Sequence, residues 1–425
     1  MSAVSSRLCA RAGCAAIALC ACAPSAASDV QLFSADNFDL TTIVRVVATD
    51  GEESWIDGGF GKVGSSGRGR EMRIRPQLGE VNLVWQPQLG WALSGLVVGT
   101  LHGGERTEAG ISEAFLAYRP MRTEKLRFSA RAGLMWPPIS LEHEGHDWHV
   151  ADTATPSAIN SWVGEEIRPL AIEGTVSGSV GAHRLSATAA VMAANDTSGT
   201  LLAFRGWALH DRKTLAFRRH RLPILPGAIA EVQPRFTHPL LDVERGFARS
   251  PGYYAKVAWQ PPAPVRLEVF RYDNGADPEA VNHEMEWGWR TSFNQAAAVA
   301  ELASGTQLKV QAMSGRTLMG FPEPDALWVD TRYRSAFGLV AHKFGLASVA
   351  GRVEVFETKQ RGSLLGSESN ESGWAATAAA KREFRWFTGL LEVLRVSSRR
   401  PFRTAAGEEP RQAQTQVQAN MRVAW

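Results

Sequence analysis

The final segment of the chain alternates strictly between polar and apolar side chains, which restricts what the chain can fold into. From Gln412 to Arg422 every second residue is polar, the residues between them are mostly apolar, and the chain ends on Trp425. Successive side chains of a β-strand point to opposite faces, so the pattern predicts a long strand with one polar face. A free edge of this length invites aggregation, and we therefore expect it to pair with the first strand, residues 40–49.

The same alternation recurs along the chain in runs of about ten residues that are separated by Gly, Pro, Asn or Asp. In one run Val349, Val353 and Val355 share a face, while Arg352 and Glu354 point the opposite way. Helical periodicity is weak throughout. The sequence therefore predicts a meander of antiparallel strands.

The connections between these runs alternate between short and long. Tight turns are predicted at residues 86–88, 120–124, 178–181, 211–213, 260–264, 304–305, 344–345 and 382–384. Long connections are predicted at residues 49–72, 101–109, 136–165, 194–199, 218–250, 273–285, 315–329, 357–371 and 398–410. Threading the chain between the two sets gives about eighteen strands, with both termini on the tight-turn side.

Residues 1–27 have the pattern of a removed export signal. Arg7 and Arg11 precede a short apolar run, and small residues at 25–27 suit a signal peptidase. The run is too short to span a bilayer as a helix. All four cysteines lie within it, so the remaining chain cannot form disulfides. An alternative is lipoprotein processing, with Cys22 acylated.

Charge and motifs exclude several functions. The chain has 46 basic and 43 acidic residues, so no bulk attraction to nucleic acid is expected. It contains no P-loop, no Gly-x-Ser-x-Gly elbow and no His-Glu-x-x-His motif. Residues 59–64 match a dinucleotide fingerprint, but neither a buried strand nor a helix flanks them, so they are interpreted as a flexible surface loop. No cofactor is expected.

Short turns on one side and long loops on the other are typical of outer-membrane barrels. Aromatic residues gather beside the tight turns, as an interfacial girdle requires. We therefore predict an all-β fold, a transmembrane antiparallel β-barrel of about 16–18 strands over residues 28–425, with short periplasmic turns and long extracellular loops. A soluble sandwich or propeller is disfavoured because no blade motif repeats at a fixed period.

The third long loop, residues 136–166, carries acidic residues and neither Lys nor Arg. Its acidic residues are Glu142, Glu144, Asp147, Asp152, Glu165 and Glu166. A short helix is expected after Thr155, with Pro156 at its first position. His143, His146 and His149 in the same loop could gather a metal, although a solvated loop is the simpler interpretation.

Arginines at strand positions are candidates for a basic wall that faces this loop across the lumen. The wall residues are Arg73, Arg75, Arg127, Arg131, Arg332, Arg334 and Arg352. An acidic loop opposite a basic wall would create a transverse field, which selects ions in water-filled pores. The alternative is that these arginines are interfacial anchors.

Over the whole chain after the signal, the sequence resembles Gram-negative outer-membrane porins, the broad group that includes phosphate-selective and general diffusion porins. The resemblance implies that residues 136–166 fold into the barrel as a constriction loop. It also implies that Met421, Val423 and Trp425 form the C-terminal signal for the barrel-assembly machinery. Two features depart from the group: the last residue is Trp rather than Phe, and no arginine-lysine ladder supports a phosphate preference.

The function that follows is passive diffusion of small hydrophilic solutes or ions through a water-filled channel in the outer membrane, without enzymatic activity. Expected partners are the outer-membrane bilayer with its lipopolysaccharide, the assembly machinery and the solutes; a homotrimer fits the resemblance, and nucleic acid does not. Two alternatives remain: an adhesive or structural barrel whose loops bind a partner, and an outer-membrane hydrolase using His143 or His146.

Overall fold

The computed structural model describes residues 30–67, 69–104, 106–120, 126–225, 227–243, 251–323 and 326–425. They form a closed barrel of sixteen antiparallel strands in which each strand pairs with its neighbours in the chain. This confirms the predicted fold class. The predicted export signal lies outside the described residues.

The barrel strands are numbered in chain order. The first eight are β1 (Phe38–Gly51), β2 (Gly69–Trp85), β3 (Leu93–His102), β4 (Glu108–Tyr118), β5 (Leu126–Leu134), β6 (Leu170–Val180), β7 (His183–Ala193) and β8 (Gly252–Gln260). The second eight are β9 (Val265–Asp273), β10 (Arg290–Ala303), β11 (Thr306–Pro322), β12 (Leu327–Phe344), β13 (Ala347–Gln360), β14 (Glu371–Glu383), β15 (Thr388–Arg399) and β16 (Arg411–Ala424).

The barrel closes between the last strand and the first, as the alternating terminal segment predicts. β16 pairs with β1 from Ala424 opposite Thr41 to Gln416 opposite Thr49. The polar residues of β16 point inward, where Gln414 and Gln418 are buried. The apolar residues between them face outward. The β16–β1 pair therefore has a polar face toward the lumen and an apolar face on the outside, like the other strand pairs of the wall.

The outer surface of the barrel is apolar between two interfaces. Val353 is 66% exposed near the middle of β13, which in water would be costly and in a bilayer is favourable. Aromatic side chains are exposed beside the tight turns, among them Trp91, Trp259, Trp386 and Trp425. This placement is that of an interfacial girdle at the periplasmic side.

One predicted hairpin is wrong, and it accounts for the difference between eighteen strands and sixteen. Residues 194–251, loop L4, form a single connection between β7 and β8. The expected strands around a turn at 211–213 instead form helix α2 (Thr200–Phe204) and irregular segments inside the barrel. Leu201, Leu202 and Trp207 are fully buried there. Apolar residues that suit a lipid-facing strand serve equally well in a packed lumen.

The sixth extracellular connection is shorter than predicted. β11 and β12 continue as a paired ribbon through most of the expected loop at 315–329, and only residues 323–326 separate them.

Two other connections fold into the lumen. Loop L1, residues 52–68, buries Phe60, Lys62 and Val63, so its predicted role as a flexible surface loop is wrong. Loop L3, residues 135–169, contains helix α1 (Ala158–Glu166). Ser157 caps this helix by accepting a hydrogen bond from the Asn160 amide at 3.3 Å, two residues later than the cap expected from the sequence.

The core of the protein lies inside the barrel. The Trp162 ring of α1 packs against Phe293 at 5.5 Å and Tyr333 at 5.2 Å on the wall, and against Trp207 of L4 at 6.0 Å. Short helix α3 (Ile229–Val232) completes L4. No helix within the described residues is long and apolar enough to cross a membrane.

The outward face of β13 provides a test of the bilayer placement. Val353→Arg puts a charge among lipid tails and is expected to lower the free energy of unfolding in lipid vesicles by about 2–4 kcal/mol. Ser367→Arg, which adds the same charge to an exposed extracellular residue, should change it by less than about 0.5 kcal/mol. Equal effects of the two substitutions would contradict a lipid-facing β13.

Candidate functional site

Loop L3 crosses the lumen and is tied to the wall by ion pairs. Glu142 contacts Arg352 of β13 at 2.7 Å, and Asp152 contacts Lys309 of β11 at 2.8 Å. Farther along the wall Asp147 contacts Arg422 of β16 at 3.0 Å. Three of the acidic residues of the loop are therefore bonded directly to cations of the wall.

Arg352 is the most engaged of these cations. Its buried guanidinium also contacts Glu354 on the same strand at 3.0 Å and donates to the carbonyl oxygen of Thr155 at 2.8 Å. Glu354 in turn accepts a hydrogen bond from the Ala158 amide at 2.7 Å, at the N-terminus of α1. A carboxylate at this helix end complements the helix dipole. Glu354 of the wall therefore holds α1 both through its charge and through its hydrogen bond to the helix backbone.

The end of α1 joins L3 to L4. Glu165 contacts Arg205 at 2.5 Å and His210 at 3.0 Å. Glu166 accepts hydrogen bonds from the indole of Trp162 at 2.6 Å and from the amide of Leu201 at 3.0 Å. The two loops therefore form one packed unit inside the barrel.

The pKa values of the two adjacent glutamates, Glu165 and Glu166, are shifted in opposite directions. Burial raises the pKa of Glu166 to about 7, and the neighbouring Glu165 acts in the same direction. Burial also acts to raise the pKa of Glu165, but Arg205 and His210 outweigh it and hold that pKa well below its usual range. At neutral pH Glu165 is charged, while Glu166 is divided between its two forms.

The arginines of the predicted basic wall lie in several separate parts of the barrel. Arg352 meets L3, whereas Arg131 pairs with Glu173 on the neighbouring strand at 2.8 Å. Arg127 lines a cavity near the tight turns, and Arg73 and Arg75 line another at the extracellular mouth. A continuous basic surface opposite L3 is therefore not formed by these residues.

Arg332 and Arg334 were expected in the lumen, and this is wrong. Their neighbours Tyr333 and Ser335 are buried inward, and both arginines are exposed on the outer face. Arg334 pairs there with Glu357 of β13 at 2.8 Å. The spacing of two correctly predicts a shared face, but alternation is symmetric and does not say which face is inside.

Three cavities follow one another along β1, β2 and β16. The mouth cavity, about 350 Å³, is lined by Gly51, Arg73 and Arg75. The middle cavity, about 40 Å³, is lined by Gln416 and Gln418. The vestibule cavity, about 270 Å³, extends toward the periplasmic turns and is lined by residues that include Asn420, Arg422 and Thr388. They form a row of separate cavities beside the packed loops, and the last two share the lining residue Asp211.

An ion pair between Arg45 of β1 and Asp211 of L4 lies where the middle cavity meets the vestibule cavity. The guanidinium donates to the two carboxylate oxygens at 3.0 and 2.6 Å. Asp211 lines both the middle cavity and the vestibule cavity. A Cβ at Gly79 would overlap the Arg45 guanidinium and would displace it from this position. Burial opposes ionisation of Asp211, but Arg45 lowers its pKa to about 2 and keeps the pair charged.

Sequence reasoning missed these L4 residues because it assigned 211–213 to a turn. Lys213 pairs with Glu80 of β2 at 2.6 Å, and Arg212 pairs with Glu108 of β4 at 2.8 Å. One sequence feature could have indicated their position. The charged triplet 211–213 lies between two apolar runs, which is unusual for a periplasmic turn beside lipid-facing strands.

The loop histidines have other partners than a metal in this structure. The His143 ring stacks on Trp148 at 3.5 Å, and Trp148 stacks on Trp136 at 4.3 Å. His149 bonds to Asp147 at 2.8 Å, and His146 is exposed. The described side chains that come close enough to share a metal are different ones. They are His238, Glu284 and Glu286. Arg219 already donates to the first two.

The central ion pair can be tested with one substitution at two positions. Arg352→Met leaves Glu142 and Glu354 buried without their cation and is expected to lower the free energy of unfolding by about 3–5 kcal/mol. Arg334→Met removes an exposed outward pair and should lower it by less than about 1 kcal/mol. Denaturant titrations in lipid vesicles measure both free energies of unfolding. A smaller loss for Arg352→Met than for Arg334→Met would contradict the role of Arg352 in holding L3.

Glu166 predicts a defined pH dependence. The folded state keeps its proton up to pH 7, whereas the unfolded chain loses it near pH 4.5, so this stabilisation is complete below pH 4.5 and declines to pH 7. The shift corresponds to a free energy of unfolding on the order of 3 kcal/mol.

The comparison with Glu166→Gln isolates this effect. Burial lowers the pKa of His220 to about 4, and its contribution rises over much of the same window. The measurement is therefore the difference in free energy of unfolding between the two proteins at each pH, and it should fall from pH 4.5 to 7. A difference that stays constant would show that Glu166 does not bind the proton.

Comparison with solved structures relates this fold to known proteins. The outer membrane channel DcaP of Acinetobacter baumannii is similar with a TM-score of 0.52 and 9% identity, over 93% of this chain and 100% of that one. An anion-selective porin from Comamonas acidovorans gives a TM-score of 0.51 and 9% identity, over 91% and 98%. No protein-family model and no curated protein matches the sequence. The chain therefore has the closed β-barrel fold of these two proteins.

Proposed function

We propose that the protein is a porin, a channel for passive diffusion of small hydrophilic solutes across the outer membrane, and not an enzyme. The observation that carries this proposal is the row of three cavities along β1, β2 and β16. The row begins at the extracellular mouth and ends beside the periplasmic turns. The two proteins of similar fold, an outer membrane channel and an anion-selective porin, support the same function.

The chemistry of this row, the proposed path, suits polar solutes of small size. Gln416 and Asn420 offer side-chain amides along one strand, and Gln418 between them offers its carbonyl oxygen, since its nitrogen already donates to Thr155 and Glu392. A solute can therefore exchange bonds to water for bonds to the wall. The middle cavity of about 40 Å³ has room for about one water molecule. Passage of anything larger therefore requires the Arg45 and Asp211 side chains to move apart.

In this proposal the constriction is built by two loops. Glu142, Asp147 and Asp152 hold L3 against the wall, and their charges are used in that way rather than in a field across the pore. Asp211 of L4 supplies the carboxylate at the narrowest point. Glu144 is left to face the path.

The remaining partners are part of the same proposal. Met421 and Trp425 are exposed on the lipid face of β16 with Val423 between them in the alternation, as a signal read by the assembly machinery requires. The outward Arg332 and Arg334 lie near the extracellular end of the wall, where they meet the charged head groups of lipopolysaccharide. Association into a homotrimer would use the lipid-facing surface.

Single-channel recording in planar bilayers tests the channel and its narrowest point. The intact protein should give small, stepwise conductance. Arg45→Ser removes the guanidinium that separates two cavities and is expected to raise the conductance several-fold. Arg131→Ser, which removes a lumenal arginine away from the path, should leave it unchanged. A folded barrel without conductance in either form would reject the channel and favour an adhesive or structural role.

A further inference from the structure

The vestibule cavity contains one unpaired charge of each sign. It is bounded by the short hairpin of L3 at residues 143–150 and by the inner faces of β14, β15 and β16. Most of its charged groups are already joined in pairs. Glu80 bonds to Lys213 at 2.6 Å, Arg422 to Asp147 at 3.0 Å, and Asp211 to Arg45 at 2.6 Å.

Glu144 is the unpaired anion. It stands on the L3 hairpin with an exposed side chain and lines the cavity. Within the part of the chain that the structure describes, no side chain forms a hydrogen bond or ion pair with its carboxylate. Its neighbour His143 does not supply a charge, because burial and Lys213 hold the pKa of that ring well below its usual value.

Lys381 of β14 is the unpaired cation. Its ammonium donates to the carbonyl oxygen of Ala151 at 2.7 Å, and among the described residues no carboxylate lies within ion-pair distance of it. Two of its three N–H donors therefore remain for another acceptor. The other lysine nearby, Lys343, is already engaged with Glu383 at 3.5 Å at the exposed rim.

We propose that the vestibule cavity binds small zwitterionic solutes that carry an ammonium and a carboxylate, such as α-amino acids. Glu144 takes the ammonium, and Lys381 takes the carboxylate. The volume of about 270 Å³ lies just below the usual range of ligand pockets and suits a solute of this size. A ligand with both groups neutralises both unpaired charges at once, whereas a ligand with one group leaves the other charge without a partner.

The role of this site in solute choice rests on the proposed channel function, but binding itself does not. Two-point recognition predicts weaker binding of analogues that lack one group, because such an analogue can pair with only one of Glu144 and Lys381. L-alanine, propionate and ethylammonium form a matched set: each of the last two keeps the carbon skeleton and lacks one charged group.

Ligand-observed saturation-transfer NMR on the full-length protein in detergent micelles measures binding directly. L-alanine is expected to bind at least tenfold more tightly than propionate or ethylammonium. Glu144→Gln should remove the preference over propionate, and Lys381→Met should remove the preference over ethylammonium. Lys359→Met, at an exposed lysine that does not line the cavity, should keep both preferences. The double variant Glu144→Lys with Lys381→Glu should restore both, since a zwitterion can bind in the reversed direction.

Each outcome decides the proposal. Equal binding of the three compounds, or L-alanine binding that survives both single substitutions in folded protein, would overturn the site. If the double variant does not fold, the single variants and the Lys359→Met control still decide. Conductance without L-alanine binding removes the site and leaves the channel; binding without conductance removes the channel and leaves the site.

Discussion

The interior of this barrel depends on the buried guanidinium of Arg352. A charge in that position is tolerated only when carboxylates accompany it, and here one comes from its own strand and one, Glu142, from L3. If Arg352 or its carboxylate partners were removed, the remaining charge would be buried without a counter-charge. The loop therefore remains inside the barrel because its charges, and not only its apolar residues, have their partners there.

The rest of the lumen follows from the position of L3. Once α1 is fixed, Glu165 and Glu166 at its end determine where L4 can pack, through Arg205 and the start of α2. The aromatic contacts of α1 are with β10 and β12 of the wall. The three cavities lie beside β1, β2 and β14 to β16, where amides and ion pairs take the place of the aromatic core.

The sequence predicted the strands of the barrel wall better than the loops that fill the lumen. The period of two placed the faces of β13 and β16 correctly, because a side-chain direction is set by the strand alone. It could not tell inside from outside for Arg332 and Arg334, since both faces follow the same period. It also took the apolar run at 201–209 for a strand, because lipid and a packed lumen select the same residues. Only long-range contacts distinguish the two, and one sequence does not display them.

The strand that closes the barrel is also the strand whose amides line the middle cavity. Gln416 and Gln418 lie on β16, which pairs with β1 as far as Thr49. Arg45 and Val47 of β1 line the same cavity. The backbone pairing that closes the barrel therefore also brings together the side chains that surround this cavity.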